Sequence, residues 1–342
     1  MGSAGRAAPV SPSLVIQTSF LGDVVLTTPL LSHLAARGPV DVVTTPAGGA
    51  LLESHPAVRR VIRYDKRGAQ SGIGGLRALA ASLQREQYAA AFLAQGSWRS
   101  AALAWMARIP QRTGFDTSSG RVLYTTQVAY RRDWHHAERL FRLAASDPQL
   151  SPPAPSLLPR DADRDAVSTL LTGAPFGAAP FVVLAPGSVW ATKRWPFFAA
   201  LVDALPATHG IVVVGGAEDR ELAAAIVEAS PARVLDATGR LSLLASAELI
   251  GRAAAVVTND SLPQHLASAM ATPTVTIYGP TLPSFGFGPL APRHTVVEHA
   301  PGLECRPCSA HGPQRCPRAH FRCMRDIAPA AVANALQPLL AH

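Results

Sequence analysis

Leu14-Val-Ile-Gln-Thr18 and the run that follows it, Ser19-Phe-Leu-Gly-Asp-Val24, decide the class of fold. The first is a short apolar run of the kind that forms a buried strand, and residues 28–36 read as the helix after it. Outward from there the pattern repeats. Strands are expected at 41–45, 58–63 and 88–93, and a helix at 75–86, where Leu76, Leu79, Ala80 and Leu83 fall at helical spacing. Such alternation builds right-handed βαβ units on a parallel sheet, an α/β fold.

The alternation breaks at Asp147-Pro-Gln-Leu-Ser-Pro-Pro-Ala-Pro-Ser156. Four prolines in ten residues leave neither a helix nor a central strand there. It then resumes, with strands at 181–185, 211–215, 255–258 and 274–278, a helix at 220–229 and a closing helix at 329–340. The expected organisation is therefore a leader over 1–13, an α/β domain over 14–146, a linker over 147–160, a second α/β domain over 161–325 and a C-terminal helical segment over 326–342. Two such halves joined by a hinge imply a ligand cleft, which in open parallel sheets lies beyond the carboxyl ends of the strands. No repeat is visible between the halves at the level of sequence.

Composition narrows the function classes. With 342 residues, 48% of them hydrophobic and 16% charged, the chain is no disordered protein. No apolar run reaches the ~18 residues a bilayer span requires, and the leader lacks an apolar signal core, so neither secretion nor spanning is expected. The net charge is +8, yet Lys66 and Lys193 are the only lysines and the arginines are scattered. Neither a basic stripe nor a stacking motif is present, so nucleic acid is not an expected partner. Such a surface suits anionic ligands or a phosphate-bearing membrane face, and the arginine bias equally reflects genomic base composition.

Four segments carry candidate chemistry. In the first, Gly22 permits a tight turn and Asp23 falls at the carboxyl end of the opening strand. Asp23 can take a proton from an attacking hydroxyl, or it can cap the next helix. The turn is no dinucleotide fingerprint, since G-x-G-x-x-G is absent. The second, Ala185-Pro-Gly-Ser-Val-Trp-Ala-Thr-Lys-Arg-Trp-Pro196, leads into a helix begun by Pro196. Lys193 and Ser188 have the chemistry to hold a diphosphate. The alternative is a solvated Lys193 beside the packed rings of Trp190 and Trp195.

The third, Val257-Thr-Asn-Asp-Ser-Leu-Pro-Gln-His-Leu266, passes from a strand through a polar turn into a helix from about Leu262. Its first N–H groups form an anion site. Asp260 or Ser261 can cap that helix, and His265, one turn in, either serves the anion or is structural. The fourth is Val214-Gly-Gly-Ala-Glu-Asp-Arg220, where Glu218 or Asp219 either accepts from ribose hydroxyls or sits near a helix N-terminus. Asp161-Ala-Asp163 has D-x-D spacing but opens a helix, where acidic residues are expected anyway, and is not read as a metal site.

From Leu14 to about Ile327 these segments resemble the glycosyltransferase family 9 heptosyltransferases, which build the inner core of lipopolysaccharide. The resemblance rests on Ile16-Gln-Thr-Ser-Phe-Leu-Gly-Asp-Val-Val-Leu-Thr-Thr-Pro29, Pro186-Gly-Ser with Thr192-Lys-Arg-Trp-Pro196, Asn259-Asp-Ser with His265-Leu-Ala267, and Tyr278-Gly-Pro-Thr281, in the family's order. It implies a GT-B fold, two Rossmann-like domains facing across a cleft, with acceptor bound mainly by the first and ADP-sugar by the second. It implies an inverting transfer that needs no metal or other cofactor. Asp23 is then the general base; Lys193, Ser188 and the N–H groups near Ser261 stabilise departing ADP; His265 supports the phosphate site; and Glu218 or Asp219 holds ribose. Gln95, Arg99 and His135 lie where an anionic acceptor binds. The expected partners are ADP-heptose, a lipid A–Kdo acceptor and the inner membrane surface, for a cytoplasmic, peripherally associated enzyme.

One departure bears on the donor site. The family has Gly after its Asp-Ser or Asp-Thr pair, where this chain has Leu262 and Pro263. Leucine disfavours positive φ and proline lacks an N–H, so a rebuilt phosphate pocket is expected. Cys305, Cys308, Cys316 and Cys323, with His311 and His320 interleaved, fit a tetrahedral structural zinc, and free thiols or disulfides are the alternatives. Similar Cys-rich tails occur in the family. Two other functions compete: transfer with another nucleotide sugar or acceptor, and a non-catalytic GT-B-shaped binding protein with a Cys₄ metal site.

Overall fold

A computed structural model describes residues 11–299 and 302–341, so most of the expected leader lies outside the described residues. The chain divides into two compact units. One runs to Arg131 and takes in residues 136–153; the other comprises residues 132–135 and the chain from Ala154 onward.

The first unit holds a six-stranded sheet of β1 (Ser13–Gln17), β2 (Val40–Thr44), β3 (Arg60–Arg63), β4 (Ala90–Leu93), β5 (Gln111–Phe115) and β6 (Thr126–Val128), in the order β3-β2-β1-β4-β5-β6. Every pairing is parallel. The second unit holds β7 (Phe181–Ala185), β8 (Gly210–Val213), β9 (Val234–Asp236), β10 (Ala255–Asn259), β11 (Thr274–Tyr278) and β12 (His294–Glu298), in the order β12-β11-β10-β7-β8-β9 and again all parallel. Counted from its own first strand, each sheet has the doubly wound order 3-2-1-4-5-6. The order reverses beside β1 and β4 in one unit and beside β7 and β10 in the other, and ligands bind at such switch points. The expected Rossmann-like pair is present.

The helix after β1 departs from expectation. It spans Leu21–Ala35, so Gly22 and Asp23 lie in its first turn and only residues 18–20 make the connection. Val24, Val25, Leu26, Leu30 and Leu31 are all buried, and a helix covered nearly all round shows no amphipathic stripe to mark its start. Pro29 lies inside it and cannot donate to the carbonyl of Val25. The Thr28 hydroxyl donates to that oxygen instead, at 2.8 Å, which lets the helix continue past the proline.

The second unit's core gathers Val182, Leu184, Trp195, Leu201, Val257 and Ile277. The helix Pro329–Leu340 has the expected bounds, but it belongs to this core through Val332, Leu336 and Leu339 rather than standing apart. Residues 151–160 carry no regular structure, as the prolines require. Asp163 accepts from the Arg160 backbone N–H at 3.0 Å and from Ser242 Oγ at 2.8 Å, so its carboxylate is engaged in structure. Among the described residues no helix is long and apolar enough to cross a membrane.

Candidate active site

At the switch point of the first sheet, Asp23 is held by the first turn of its helix. Ser19 Oγ donates to Asp23 Oδ2 at 3.0 Å, and His136 Nε2 lies 3.9 Å from Oδ1. Burial raises the Asp23 pKa to about 6, and the serine hydrogen bond only partly opposes this. A carboxyl of that affinity takes up a proton readily near neutrality, whereas an ordinary aspartate does so poorly.

Beside it the connections of the same sheet are tied together. Thr18 Oγ1 donates to Gln95 Oε1 at 2.5 Å, and Lys66 Nζ donates to the Thr18 carbonyl at 2.7 Å. Arg99 reaches the Tyr64 hydroxyl at 3.1 Å. Burial lowers the Lys66 pKa, and the charges of Arg67 and Arg99 lower it further, so three cations share this end of the sheet. Among the described residues none of the three is paired with a carboxylate, which makes this end receptive to an anion.

His135 precedes His136 in the chain. It belongs to the second unit, with Nε2 3.0 Å from the Gly288 carbonyl oxygen, and the histidine near Asp23 is its neighbour His136. Adjacent identical residues offer no sequence signal to separate them. Lys66 was also missed, although its rarity in this chain and its place just after β3 marked it.

In the second unit the family-like segments converge on two side chains. Asn259 Nδ2 donates to the Pro186 carbonyl at 2.8 Å, and its Oδ1 accepts from Trp195 N–H at 3.1 Å. Asp260 Oδ2 accepts from Lys193 Nζ at 2.5 Å and from Thr281 Oγ1 at 2.7 Å. The loops after β7, β10 and β11 are thereby held together at the carboxyl ends of those strands. Lys193 is buried, which overturns the alternative of a solvated side chain. One of its three donors serves Asp260. Ser188 accepts from Trp190 N–H at 3.4 Å, while its carbonyl holds Arg194 Nε at 2.9 Å, adding a cation that sequence reasoning missed.

Leu262 and Pro263 fit without distortion. Leu262 begins the helix Leu262–Ala269 and is absent from the residues of positive φ, so this backbone path does not demand glycine. Pro263 occupies the first turn, where its missing N–H costs no helical bond. His265 lies one turn into the same helix. It is buried, and burial drives its pKa down to about 4 against the pull of Asp260, so it brings no positive charge to a phosphate at neutral pH. Its Nδ1 has no hydrogen-bond partner among the described residues.

Glu218 and Asp219, inseparable in the sequence, are separated by the fold. Asp219 is buried and its Oδ2 accepts from Gly216 N–H at 3.0 Å, which closes the turn after β8. A Cβ on Gly187 would meet Asp219 Oδ2 at 2.3 Å, so the Pro186-Gly-Ser turn requires glycine to pass that carboxylate. Glu218 is exposed and remains available to a ligand.

The Cys-rich segment braces the Lys193 loop. Gln314 Oε1 accepts from Ala191 N–H at 3.1 Å, Gln314 Nε2 donates to the Val189 carbonyl at 2.9 Å, and Thr192 Oγ1 donates to the Pro313 carbonyl. The four thiols are free. Cys323 is buried in the core beside Met324, and burial together with the neighbouring thiols pushes its pKa up to about 11. Cys305 Sγ lies 3.7 Å from His320 Nε2, yet among the described residues no group of three or more His, Cys, Asp or Glu is assembled to hold a metal ion.

The chain is similar to known heptosyltransferases. The model of glycosyltransferase family 9 (heptosyltransferase) matches residues 76–314. Lipooligosaccharide heptosyltransferase 2 of Haemophilus influenzae is 27% identical, over 96% of this chain and 99% of its own. Lipopolysaccharide heptosyltransferase 1 of Pseudomonas aeruginosa is 30% identical, over 86% of this chain and 85% of its own. Among solved structures, the ADP-heptose lipopolysaccharide heptosyltransferase II of Escherichia coli superposes with a TM-score of 0.79 at 26% identity, covering 96% of this chain and 98% of that one.

Proposed function

The chain belongs to glycosyltransferase family 9, and we propose that within it this enzyme transfers heptose from ADP-heptose to a lipopolysaccharide inner-core acceptor, with inversion at the anomeric carbon. The observation that carries the reading is Asp23: a buried carboxyl at the first switch point, with proton affinity raised toward neutrality and a hydroxyl donor to orient it. The acceptor hydroxyl gives its proton to Asp23 as its oxygen bonds the anomeric carbon. The bond from that carbon to the diphosphate oxygen breaks, and ADP departs with the electron pair. Attack opposite the leaving group inverts the centre.

Charge develops on the departing diphosphate, so preorganised donors there contribute most of the remaining acceleration. The second unit supplies Lys193, Arg194, the Ser188 hydroxyl and the helix start at Ser261, while exposed Glu218 is suited to ribose. Lys66, Arg67 and Arg99, beside Gln95, suit an anionic acceptor such as a lipid A–Kdo saccharide. We assign the enzyme to the cytoplasmic side of the inner membrane, where such an acceptor is presented.

Thiolates are the right donors for a structural zinc. Among the described residues no group of three or more His, Cys, Asp or Glu is assembled to hold one, and we derive no step through a metal. The test is transfer itself, with ADP-heptose and a Kdo-bearing acceptor, followed by mass and by the anomeric coupling of the product. An added heptose in the inverted configuration is expected. Turnover with UDP- or GDP-sugars but not ADP-heptose overturns the donor assignment, and a retained configuration overturns the mechanism.

A further inference from the structure

The thiols of the Cys-rich segment have no part in the transfer chemistry, and two of them are set up unequally. Cys305 is half-buried, and its Sγ lies 3.7 Å from His320 Nε2. His320 Nδ1 accepts from the Arg322 N–H at 3.0 Å, so the ring proton is on Nε2 and is offered to the sulfur. Cys308 completes a C-x-x-C turn. Its thiol donates to the Cys305 carbonyl at 3.4 Å, which keeps its sulfur over the same turn. Burial, with Cys305 and Cys316 nearby, raises its pKa. A hydrogen bond received at sulfur favours loss of the thiol proton, whereas burial opposes it. Cys305 is therefore the thiol that reacts first and Cys308 the one that resolves.

Between the two cysteines lies Arg306, which holds the turn after β11. Its Nε donates to the Gly279 carbonyl at 2.6 Å and its Nη2 to the Thr281 carbonyl at 3.0 Å, and the guanidinium pairs with Glu298. Cys308 N–H donates to the Pro280 carbonyl at 2.9 Å. All three carbonyls of Gly279-Pro-Thr281 are thus held by the C-x-x-C turn. The Thr281 hydroxyl in turn donates to Asp260 Oδ2, the oxygen that Lys193 meets. Further along the segment, a Cβ on Gly312 would stand 3.1 Å from Pro280 and 3.2 Å from Thr192 Oγ1. A rearrangement of residues 305–308 therefore reaches Asp260 and Lys193 through one residue, Thr281.

We propose that Cys305 and Cys308 form a reversible oxidation site for hydrogen peroxide, and that closing their disulfide loosens the donor site. The Cys305 sulfur attacks the peroxide O–O bond. A sulfur–oxygen bond forms, and the other oxygen leaves as water with the thiol proton. The Cys308 sulfur then displaces the hydroxyl of the sulfenic acid, the S–S bond forms, and that hydroxyl leaves as water with the Cys308 proton. Two thiols are oxidised and one peroxide is reduced to two waters. The new bond draws Cys308 from the Cys305 carbonyl and Cys305 from His320, and Arg306 between them loses its present hold on the Gly279-Pro-Thr281 turn. A dithiol reverses the step by exchange. The oxidation site stands on the thiols alone, while its effect on the donor rests on the proposed reading of this sheet end as the nucleotide-sugar site.

The experiment treats the full, reduced chain with hydrogen peroxide, blocks the remaining thiols by alkylation and weighs the tryptic peptides. Pro307 protects the bond after Arg306, so Cys305 and Cys308 stay in one peptide while Cys316 and Cys323 fall on others. A disulfide within that peptide is expected, reversed by dithiothreitol. ADP binding, followed by calorimetry, should weaken about tenfold on oxidation and recover on reduction. Cys305→Ser should bind ADP as the reduced chain does and keep that affinity in peroxide. In Cys308→Ser the reaction should stop at the Cys305 sulfenic acid, which dimedone traps. His320→Phe should slow disulfide formation and leave ADP affinity unchanged. Disulfides that run to Cys316 or Cys323 instead, or a metal ion held by these thiols in the isolated protein, overturn the oxidation site. ADP affinity indifferent to a closed Cys305–Cys308 bond overturns the coupling. Failure of the reduced chain to bind ADP refutes the reading of the donor site, and the peptide masses still decide the oxidation site.

Discussion

Asp23 and Asp260 occupy comparable places in the two sheets and do opposite work. Each lies just beyond a carboxyl end at which the strand order turns back. Asp23 keeps one hydroxyl donor and no close lysine or arginine, and its burial goes uncompensated, so its proton affinity rises. Asp260 is bound by an ammonium and a hydroxyl, and it fastens three segments together. The cations follow the same division: among the described residues Lys66, Arg67 and Arg99 have no carboxylate partner in the first unit, whereas Lys193 meets Asp260 in the second. A common topology thus leaves cations without a carboxylate partner at one sheet end and pairs one with Asp260 at the other. Local pairing, rather than strand order, decides which.

The strongest test of that contrast is Asp23→Asn. Loss of a general base should lower kcat by about 10²–10⁴-fold, read as product formed per enzyme. The same substitution should stabilise the protein at pH 7. Because the folded pKa of about 6 exceeds the ordinary 3.8, the native state holds the proton more tightly than the unfolded chain. The group's favourable contribution is complete below pH 4, is lost as pH rises through 6, and amounts to about 3 kcal/mol. Denaturation midpoints at pH 4 and pH 7 should converge in the variant. An unchanged kcat would reduce Asp23 to a helix-terminal carboxylate.

On the other side of the comparison, Lys193→Met leaves the Asp260 carboxylate buried without its cation. A loss of about 3–5 kcal/mol is expected from urea denaturation, and most of it should return when Asp260→Asn is added, since the stranded charge is then gone. Additive losses in the double variant would mean that the two side chains are not acting as a pair.

The smallest effect is expected at Gly187→Ala. The new methyl must displace Asp219, whose carboxylate oxygen it would meet at 2.3 Å, and that movement opens the bond to Gly216 N–H. About 1–3 kcal/mol of stability should be lost, together with a several-fold rise in KM for the nucleotide sugar and little change in KM for the acceptor. An equal rise in both would contradict the assignment of this turn to the donor unit.

The interior strands were easy to read because both faces of a parallel sheet are buried, which produces continuous runs such as Phe181–Ala185 and Thr274–Tyr278 at their observed bounds. Strands towards the sheet margins were not. Gln111–Phe115, Thr126–Val128 and His294–Glu298 mix polar residues into short segments and have no periodicity to betray them. The helix at Leu21–Ala35 was read seven residues late for the reverse reason: it is apolar on so many sides that no stripe appears. In the candidate site, Asp23 and Lys193 were legible from their places after strands, whereas Arg194 gained meaning only from what it touches.

By itself the sequence determined that two parallel α/β units follow one another, because strand and helix periodicities are local properties of the chain. It also determined which segments lie at the ligand end of each sheet, since the loop after a parallel strand must emerge at its carboxyl end. Tertiary packing alone decided that Asp219 closes a turn while Glu218 stays exposed, that His136 rather than His135 approaches Asp23, that His265 is neutral, and that Lys193 meets Asp260. Each of those outcomes depends on burial and on partners tens of residues away in the chain, and desolvation and Coulomb forces act through space.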